Sequence, residues 1–312
     1  MWWKIVCLLA VACAPVFAVS LFSFPESVRE RSTAAQRIVS GWPAQAGQIP
    51  HQLSLRMVAG TGQVFSCGAS IIHNRWGITA AHCTAQRVTI IVRVGSVNLT
   101  RPDAIFETLE YYNHPLYDES IASVVQPHDI GLLKFNRYVE YNSLVQPIRI
   151  QRTADKDNNY DQVRLIASGY GLTWTSGSST EHLNWVYLLG DSNERCLQAY
   201  GNSPIIQPST ICASAYNVSS QSTCQGDSGG PLTTVEHDGK VTLVGVTSFV
   251  SGLGCHFPMP AGFIRPGFYH DWYTQVTGVN FDWDWEDIEG SGSEEYLTTS
   301  SWSGIEVVPE SY

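Results

Sequence analysis

Short apolar runs, separated by turns rich in glycine, proline, serine and asparagine, recur along most of this chain. Runs of about four to eight apolar residues between such turns are typical of buried β-strands. One series of runs lies at residues 53–55, 70–72, 88–92 and 130–133. A second series lies at residues 163–166, 185–189, 231–232 and 241–246. The pattern predicts an all-β protein built from many short strands, and it shows no internal repeat.

The N-terminal end has a different pattern. Residues 1–18 carry one early positive charge, Lys4, and then an apolar stretch that ends in Val16, Phe17 and Ala18. A short apolar stretch with small residues at its end is typical of a signal peptide, so we expect cleavage after Ala18 and secretion. A membrane anchor is the alternative, but Pro15 interrupts the stretch and no later apolar run approaches about 18 residues. We therefore expect an extracellular protein with no membrane partner.

Cysteine usage fits an oxidising compartment. Cys7 and Cys13 lie in the predicted signal peptide, which leaves six of the eight cysteines in the mature chain. An even number in a secreted protein predicts disulfide bonds, although six cysteines allow 15 pairings and their spacing does not choose among them. The C-x-x-C spacing of structural zinc sites does not occur, so we expect no metal and no cofactor.

Three stretches carry candidate chemistry. Residues 223–232 read TCQGDSGGPL and place Ser228 on a turn between glycines. A serine hydroxyl is a weak nucleophile unless a base lies beside it and N–H donors face the oxyanion that it creates. His82 follows an apolar run in TAAHC, and Asp129 precedes another in HDIGLL, where a carboxylate needs a polar partner. Each motif alone has an ordinary structural explanation: a turn, a plain histidine and a strand cap.

Taken together, in the order His82, Asp129 and Ser228, the motifs resemble those of the chymotrypsin-like serine endopeptidases over residues 38–277. The resemblance implies two antiparallel six-stranded β-barrels, with the active site between them and a closing helix at residues 269–277. It implies that Ser228 is the nucleophile, that His82 is the general base and that Asp129 orients His82. The N–H groups of Gly226 and Ser228 would form the oxyanion hole.

The resemblance also implies a latent precursor. Residues 19–37 would form an activation propeptide, and cleavage between Arg37 and Ile38 would free an ammonium group that pairs with Asp227. Because an unpaired buried carboxylate is unfavourable, this pair can switch the local backbone between two states. The propeptide has no cysteine, so we expect it to leave after cleavage. The disulfides that the resemblance implies are Cys67–Cys83, Cys196–Cys212 and Cys224–Cys255.

Specificity should depend on the pocket for the substrate residue before the scissile bond, the P1 residue. By resemblance, Ser248, Phe249 and Val250 would pair with the substrate backbone as an added strand. Ser222 stands at the pocket floor, where trypsin-like members have an aspartate, so a basic P1 side chain would lack a counter-ion. Val250 should narrow the entrance as in elastases, with Ala261 on the opposite wall. We expect small to medium aliphatic P1 residues, and a preference for Leu, Phe or Tyr is the alternative.

The C-terminal segment, residues 279–312, contains nine acidic residues and neither lysine nor arginine. The whole chain has a net charge of −10, so the remainder is close to neutral and the acidity says little about the substrate. Serine, glycine and acidic residues in this proportion predict disorder. We interpret the segment as a solvated appendage. Glycosaminoglycan attachment at Ser291 or Ser293, and docking to a basic partner or to the enzyme's own surface, are the alternatives.

Modification and partners complete the expectations. Asn98 and Asn217 begin N-glycosylation sequons, which are acceptors in secreted proteins. We expect a monomeric protease domain at residues 38–278. Its partners would be protein or peptide substrates, an activating trypsin-like protease and protein inhibitors, without nucleic acid. A catalytically silent binding homologue is the remaining alternative, which the complete set of motifs disfavours.

Overall fold

The computed structural model describes residues 22–23, 41–173 and 179–285. The predicted signal peptide, the Arg37–Ile38 bond and residues 286–312 lie outside this part of the chain. The described strands are β1 (Phe22–Ser23), β2 (Trp42–Pro43), β3 (Gln52–Ala59), β4 (Val64–His73), β5 (Trp76–Thr79), β6 (Arg87–Val94), β7 (Ala104–Thr108), β8 (Tyr111–Asn113), β9 (Gly131–Lys134), β10 (Arg149–Ile150), β11 (Arg164–Gly169), β12 (Asn184–Asp191), β13 (Thr210–Ala215), β14 (Pro231–Val235), β15 (Val241–Ser251) and β16 (Ala261–Ile264). The α-helices are α1 (Ala81–Thr84), α2 (Asn193–Ala199) and α3 (His270–Thr277), and 3-10 helices lie at Glu119–Ile121, Thr153–Asp155 and Pro266–Phe268.

Burial along the strands explains how they form two curved sheets. In β12 every second residue is buried and the residues between them are partly exposed, which is the period of a strand with one face on a core. By contrast, β15 is buried at every position after its first residue, and β3 is buried at its first four positions. These two strands lie where the sheets meet, since β3 contacts β11 and β15 contacts β5.

The N-terminal sheet has the strand order β7-β6-β3-β4-β5-β9-β8, with antiparallel pairing throughout. Its end strands, β7 and β8, are separated by only Leu109 and Glu110, so they form two parts of one bent strand. Between them, the carbonyl of Glu110 accepts from the backbone N–H of Lys134 in β9 at 3.0 Å. The sheet therefore closes into a barrel of six strands. Its apolar interior includes Leu53, Leu55, Ile71, Ile78, Val92, Phe106, Leu132 and Phe135.

The C-terminal sheet closes directly. Strands β14, β11, β12, β13, β16 and β15 pair antiparallel in that order, and β15 pairs back with β14. Three short strands attach to this ring: β1 and β10 pair with β15, and β2 pairs with β12. Its core includes Leu165, Val186, Leu188, Ile211, Leu232, Val244 and Phe263. The predicted pair of antiparallel six-stranded barrels is confirmed.

The predicted closing helix is α3. It ends at Gly278, whose φ of 73° lies in the left-handed region that glycine adopts without strain. Trp272 and Tyr273 of this helix are buried in the core of the N-terminal barrel. The helix therefore follows the C-terminal barrel in the chain but packs against the N-terminal barrel.

Residues 279–285 correct one expectation. Composition assigned them to a disordered tail, but they pack against the body of the protein. The indole N–H of Trp283 donates to the carbonyl of Ile150 at 2.8 Å, and Asp282 accepts from the backbone N–H of Thr153 at 3.0 Å. The acidic tail therefore begins later in the chain than its composition indicated.

The three disulfides among the described residues join the partners that the family resemblance implied. Cys67–Cys83 links β4 to α1, and Cys196–Cys212 links α2 to β13. Cys224–Cys255 links the loop that carries Ser228 to the loop after β15. The predicted pairing is confirmed, and the first and third bonds fix loops on either side of the candidate site.

Candidate active site

His82 is held by the turn that follows β5. Helix α1 places it at 1% exposure, and the nearby side-chain atoms of Cys67, His82 and Cys83 lie within 4.8 Å of one another. Asp129, which is fully buried just before β9, accepts from the backbone N–H of His82 through Oδ1 at 2.8 Å. Its Oδ2 lies 2.6 Å from His82 Nδ1. This double contact fixes the imidazole ring and leaves Nε2 on the edge that faces away from Asp129.

A second hydroxyl shares the same carboxylate. The Oγ of Ser248 donates to Asp129 Oδ2 at 2.6 Å, and both side chains are fully buried. Sequence reasoning assigned Ser248 only to the strand that pairs with substrate. This contact was missed because Ser248 and Asp129 lie 119 positions apart and belong to different barrels. Ser248 therefore connects the C-terminal barrel to the His82–Asp129 pair.

The residue before Asp129 adopts an uncommon backbone conformation. His128 has a φ of 58°, and its Nδ1 lies 3.1 Å from the hydroxyl of Tyr269. Its ring stacks on His114 with the ring centroids 5.1 Å apart. Burial lowers the pKa of His128. Burial and, as a smaller effect, electrostatic repulsion from His128 lower the pKa of His114 to about 4. Both rings are therefore neutral at neutral pH and support the backbone that presents Asp129.

Backbone contacts place Ser228 beside the turn that holds His82. The carbonyl of Ser228 accepts from the N–H of Gly68 in β4 at 2.7 Å. The next residue, Gly229, has a φ of 73°, and a side chain there would collide with Thr79 and Ala80. Glycine is therefore required where the loop meets the end of β5. The Oγ of Ser228 is buried and has no hydrogen-bond partner among the described residues, as suits a group that acts on a substrate.

The residues before Ser228 form a tight loop. Gly226 has a φ of 96°, in the region that favours glycine, and a Cβ there would lie 3.0 Å from the Cα of Gly171. Asp227 is fully buried and accepts from the N–H of Gly171 at 2.8 Å and from that of Cys224 at 2.9 Å. Burial raises the pKa of Asp227 to about 7, although both hydrogen bonds lower it. The carboxylate thus lies in a site where an added positive charge would be favourable.

The three residues assigned to the candidate P1 pocket, Ser222, Val250 and Ala261, have uncharged side chains. Ser222 is 8% exposed, whereas Val250 and Ala261 are each 2% exposed and pack in one cluster with the Cys224–Cys255 bond. Thr223, which sequence reasoning did not single out, lies beside Ser222 with its hydroxyl buried and unpaired among the described residues. A basic substrate side chain would find no carboxylate among these four residues.

The ring of Phe249 fixes the strand next to the pocket. It occupies the space where a side chain at position 262 would lie, so Gly262 is required there. On its other side, the ring meets Tyr200 edge-on at a centroid distance of 5.5 Å. Phe249 is therefore a packing residue that holds β15 in place. Its side chain is buried in the protein interior, at 1% exposure.

Comparison with known proteins decides the family. The family model described as Trypsin matches residues 38–273, most of the chain. This chain belongs to the trypsin family. Collagenase from Hypoderma lineatum is 34% identical over 271 residues, which cover 85% of this chain and 98% of that protein. Chymotrypsin-like elastase family member 1 from Canis lupus familiaris is 32% identical over 265 residues, which cover 83% of this chain and all of that protein.

Structural comparison agrees with the sequence comparison. A solved structure of HL collagenase has a TM-score of 0.69 and 35% sequence identity, with 78% of this chain and 99% of that chain covered. The family match and these relatives show that the protein is a serine endopeptidase, a hydrolase that acts on proteins or peptides. Within the described ranges, no helix has the length and apolar character needed to cross a bilayer.

Proposed function

We propose that this trypsin-family protease is made as a secreted zymogen and that its active form cleaves after small to medium aliphatic P1 residues. One observation carries the specificity: Val250 is buried against the Cys224–Cys255 bond and Ala261, where a glycine would leave the pocket open. Ser222 at the floor offers a hydroxyl and no negative charge, so Arg and Lys are rejected. The name elastase borne by one relative agrees with this proposal.

In the proposed mechanism, Ser228 Oγ attacks the scissile carbonyl while His82 Nε2 accepts its proton and later gives it to the leaving amine. The carboxylate of Asp129 contacts His82 Nδ1 and accepts a hydrogen bond from Ser248 Oγ. It thereby holds the imidazole in the required tautomer and stabilises the imidazolium. The N–H groups of Gly226 and Ser228 stabilise the oxyanion, and each such donor contributes about 3–4 kcal/mol in related enzymes.

Activation is proposed to follow cleavage of the Arg37–Ile38 bond by a trypsin-like protease. The new ammonium of Ile38 then pairs with Asp227, whose buried carboxylate has a raised pKa and only backbone N–H donors among its described partners. Because Asp227 lies between Gly226 and Ser228, a movement of its side chain changes the loop that forms the oxyanion hole.

Two features support passage through the secretory pathway. The three disulfides are typical of an oxidising compartment. Asn217 is exposed, which an acceptor for N-glycosylation requires, whereas Asn98 is half-buried and its amide oxygen accepts from Thr100 at 2.9 Å. We propose occupancy of Asn217, a monomeric enzyme and control by protein inhibitors. Mass determination before and after removal of N-glycans tests the occupancy, and light scattering tests the oligomeric state.

The deciding experiment is a substrate panel. The zymogen is cleaved after Arg37 with trypsin, the trypsin is inhibited selectively, and peptide anilides that end in Ala, Val, Leu, Phe, Tyr or Arg are assayed. We expect the highest kcat/KM for Ala, Val or Leu and weak turnover of Phe and Tyr. Dominant cleavage after Phe or Tyr would establish the chymotrypsin-like alternative. Dominant cleavage after Arg would refute the proposed pocket, and absence of all turnover with a free Ile38 would refute the activation scheme.

A further inference from the structure

An N-terminal segment occupies the edge that substrate is proposed to use. Strand β1 pairs antiparallel with β15, with Phe22 opposite Ser251 and Ser23 opposite Val250. Both residues of β1 belong to the predicted propeptide, residues 19–37. Their partners include Val250, the last residue of the three assigned to bind substrate backbone. An intramolecular strand and a substrate strand would therefore compete for the same backbone groups.

The register of β15 explains why this edge is open. Strand β14 begins at Pro231 opposite Val246, and only Gly229 and Gly230 extend its hydrogen bonds, as far as Thr247. On the other side, β16 pairs with β15 no further than Phe249. Neither barrel strand has a registered partner for Val250 or Ser251. Backbone N–H and C=O groups in such a position favour an added strand.

We propose that the propeptide acts as a tethered competitive inhibitor. Through Phe22 and Ser23 it would occupy the part of the substrate cleft that binds residues on the N-terminal side of the scissile bond. This inference rests on the proposed function, because it needs an active protease and the assignment of Val250 to substrate binding. The chain between Ser23 and Gly41, at about 3.3 Å per residue, is long enough to span a small domain. One molecule can therefore hold β1 in the cleft and still carry the Arg37–Ile38 bond at a distance.

The tether determines when the inhibitor acts. A segment joined to its site through a short linker has an effective concentration in the millimolar range, so even weak pairing keeps the edge occupied. Cleavage after Arg37 turns this contact into an ordinary bimolecular one, since the propeptide has no cysteine to retain it. Dilution then removes the strand. The zymogen would thus be held inactive in two ways, by its unformed Ile38–Asp227 pair and by occupation of the cleft.

The test adds the segment back in trans. A synthetic amide of residues 19–31 is titrated to about 2 mM into the trypsin-activated enzyme, with a leucine anilide as substrate. We expect competitive inhibition: KM rises several-fold while kcat is unchanged. The matched control is the same peptide with an N-methyl group on Ser23, which removes one N–H and the space for strand pairing but keeps every side chain. We expect it to bind at least about tenfold more weakly.

A second readout does not need activity. Hydrogen exchange of the backbone at residues 248–252 is measured in the zymogen, in the activated enzyme, and in the activated enzyme with each peptide. Slower exchange on addition of the natural peptide, but not of the N-methylated one, is expected. An active enzyme whose KM and exchange the peptide leaves unchanged would overturn the inference alone. An enzyme inactive toward every anilide would refute the proposed function, while the exchange data would still test the pairing.

Discussion

At the scale of single residues, one carboxylate organises the site. Asp129 is fully buried, and its carboxylate makes three hydrogen-bond contacts: with the backbone N–H of His82, with His82 Nδ1 and with the hydroxyl of Ser248. These three contacts fix the carboxylate in position. Because Ser248 comes from the C-terminal barrel, its hydroxyl also connects the two barrels at the candidate active site.

Replacing Ser248 with alanine should therefore lower kcat. A hydrogen bond to a charged group contributes about 1.5–3 kcal/mol, which corresponds to a decrease of roughly 10- to 100-fold. KM should change little, since the lost hydroxyl faces Asp129. Steady-state kinetics on an aliphatic anilide measure both constants. Ser120→Ala is the matched control: it removes a serine–aspartate hydrogen bond of the same 2.6 Å length, to Asp118, at an exposed position of a 3-10 helix. Equal kcat values for the two variants would contradict the assigned role of Ser248.

We propose that Val250 determines the width of the P1 pocket. Replacement by glycine should raise kcat/KM for Phe and Tyr anilides at least about tenfold relative to Ala, since one or two methylene groups are worth that much in an apolar pocket. The reciprocal change, Ala261→Val, should fill the opposite wall and lower turnover of Leu. Val218→Ala, at a side chain that is 48% exposed, serves as the control. An unchanged order of P1 preference in the Val250 variant would place the restriction elsewhere.

At the scale of elements, local pattern predicted the strands well and the C-terminal end poorly. The apolar runs that flank His82 and Asp129 became β4, β5 and β9, because strand formation follows alternation and burial that are visible in the sequence. Residues 279–285 were misjudged because their acidic residues and tryptophans look solvent-exposed until the surface they meet is known. Arg149 lies 4.0 Å from the ring centroid of Trp283, a contact between residues far apart in the chain.

Trp283 should therefore stabilise the fold. Its indole donates to Ile150 and lies against the guanidinium groups of Arg149 and Arg152. Replacement by alanine removes a hydrogen bond, cation–π contacts and part-buried apolar area, so we expect a loss of about 1–3 kcal/mol in the free energy of unfolding. Urea denaturation followed by circular dichroism measures it.

The neighbouring position supplies the control for Trp283. Asp284 is 68% exposed and forms an ion pair with Arg152 at 3.0 Å. Exposed ion pairs contribute little, so Asp284→Ala should change the free energy of unfolding by less than about 1 kcal/mol. A loss for Asp284→Ala as large as that for Trp283→Ala would mean that charge, and not the aromatic contacts, attaches this segment.

At the scale of the whole molecule, the site exists only where two barrels meet, and this limited what the sequence could predict. The motifs identified His82, Asp129 and Ser228 because each has a local signature. The contact of Ser248 with Asp129 and the pairing of β1 with β15 have no such signature, since they depend on loops that close over more than 100 residues. Family resemblance supplied the disulfide partners, which spacing alone left open.

The proposed switch between zymogen and enzyme is also a property of the whole molecule, and the titration of Asp227 makes it measurable by pH. In the uncleaved protein, burial raises the pKa of Asp227 from its ordinary 3.8 to about 7. Between these values the folded protein binds more protons at this site than the unfolded chain does. The free energy of unfolding must then decrease as pH rises through this window, by up to about 4 kcal/mol from this group.

An uncleavable Arg37→Gln protein should show that decrease in thermal unfolding between pH 4 and pH 7. Adding Asp227→Asn should flatten it, because the amide does not titrate. The cleaved protein should resemble the flattened curve, since the ammonium of Ile38 stabilises the ionised carboxylate and lowers its pKa. If the Arg37→Gln protein and its Asp227→Asn derivative had parallel pH profiles, the carboxylate would already be compensated in the zymogen. Cleavage would then have to drive activation through some other group, because no electrostatic gain would be left for the new terminus to supply.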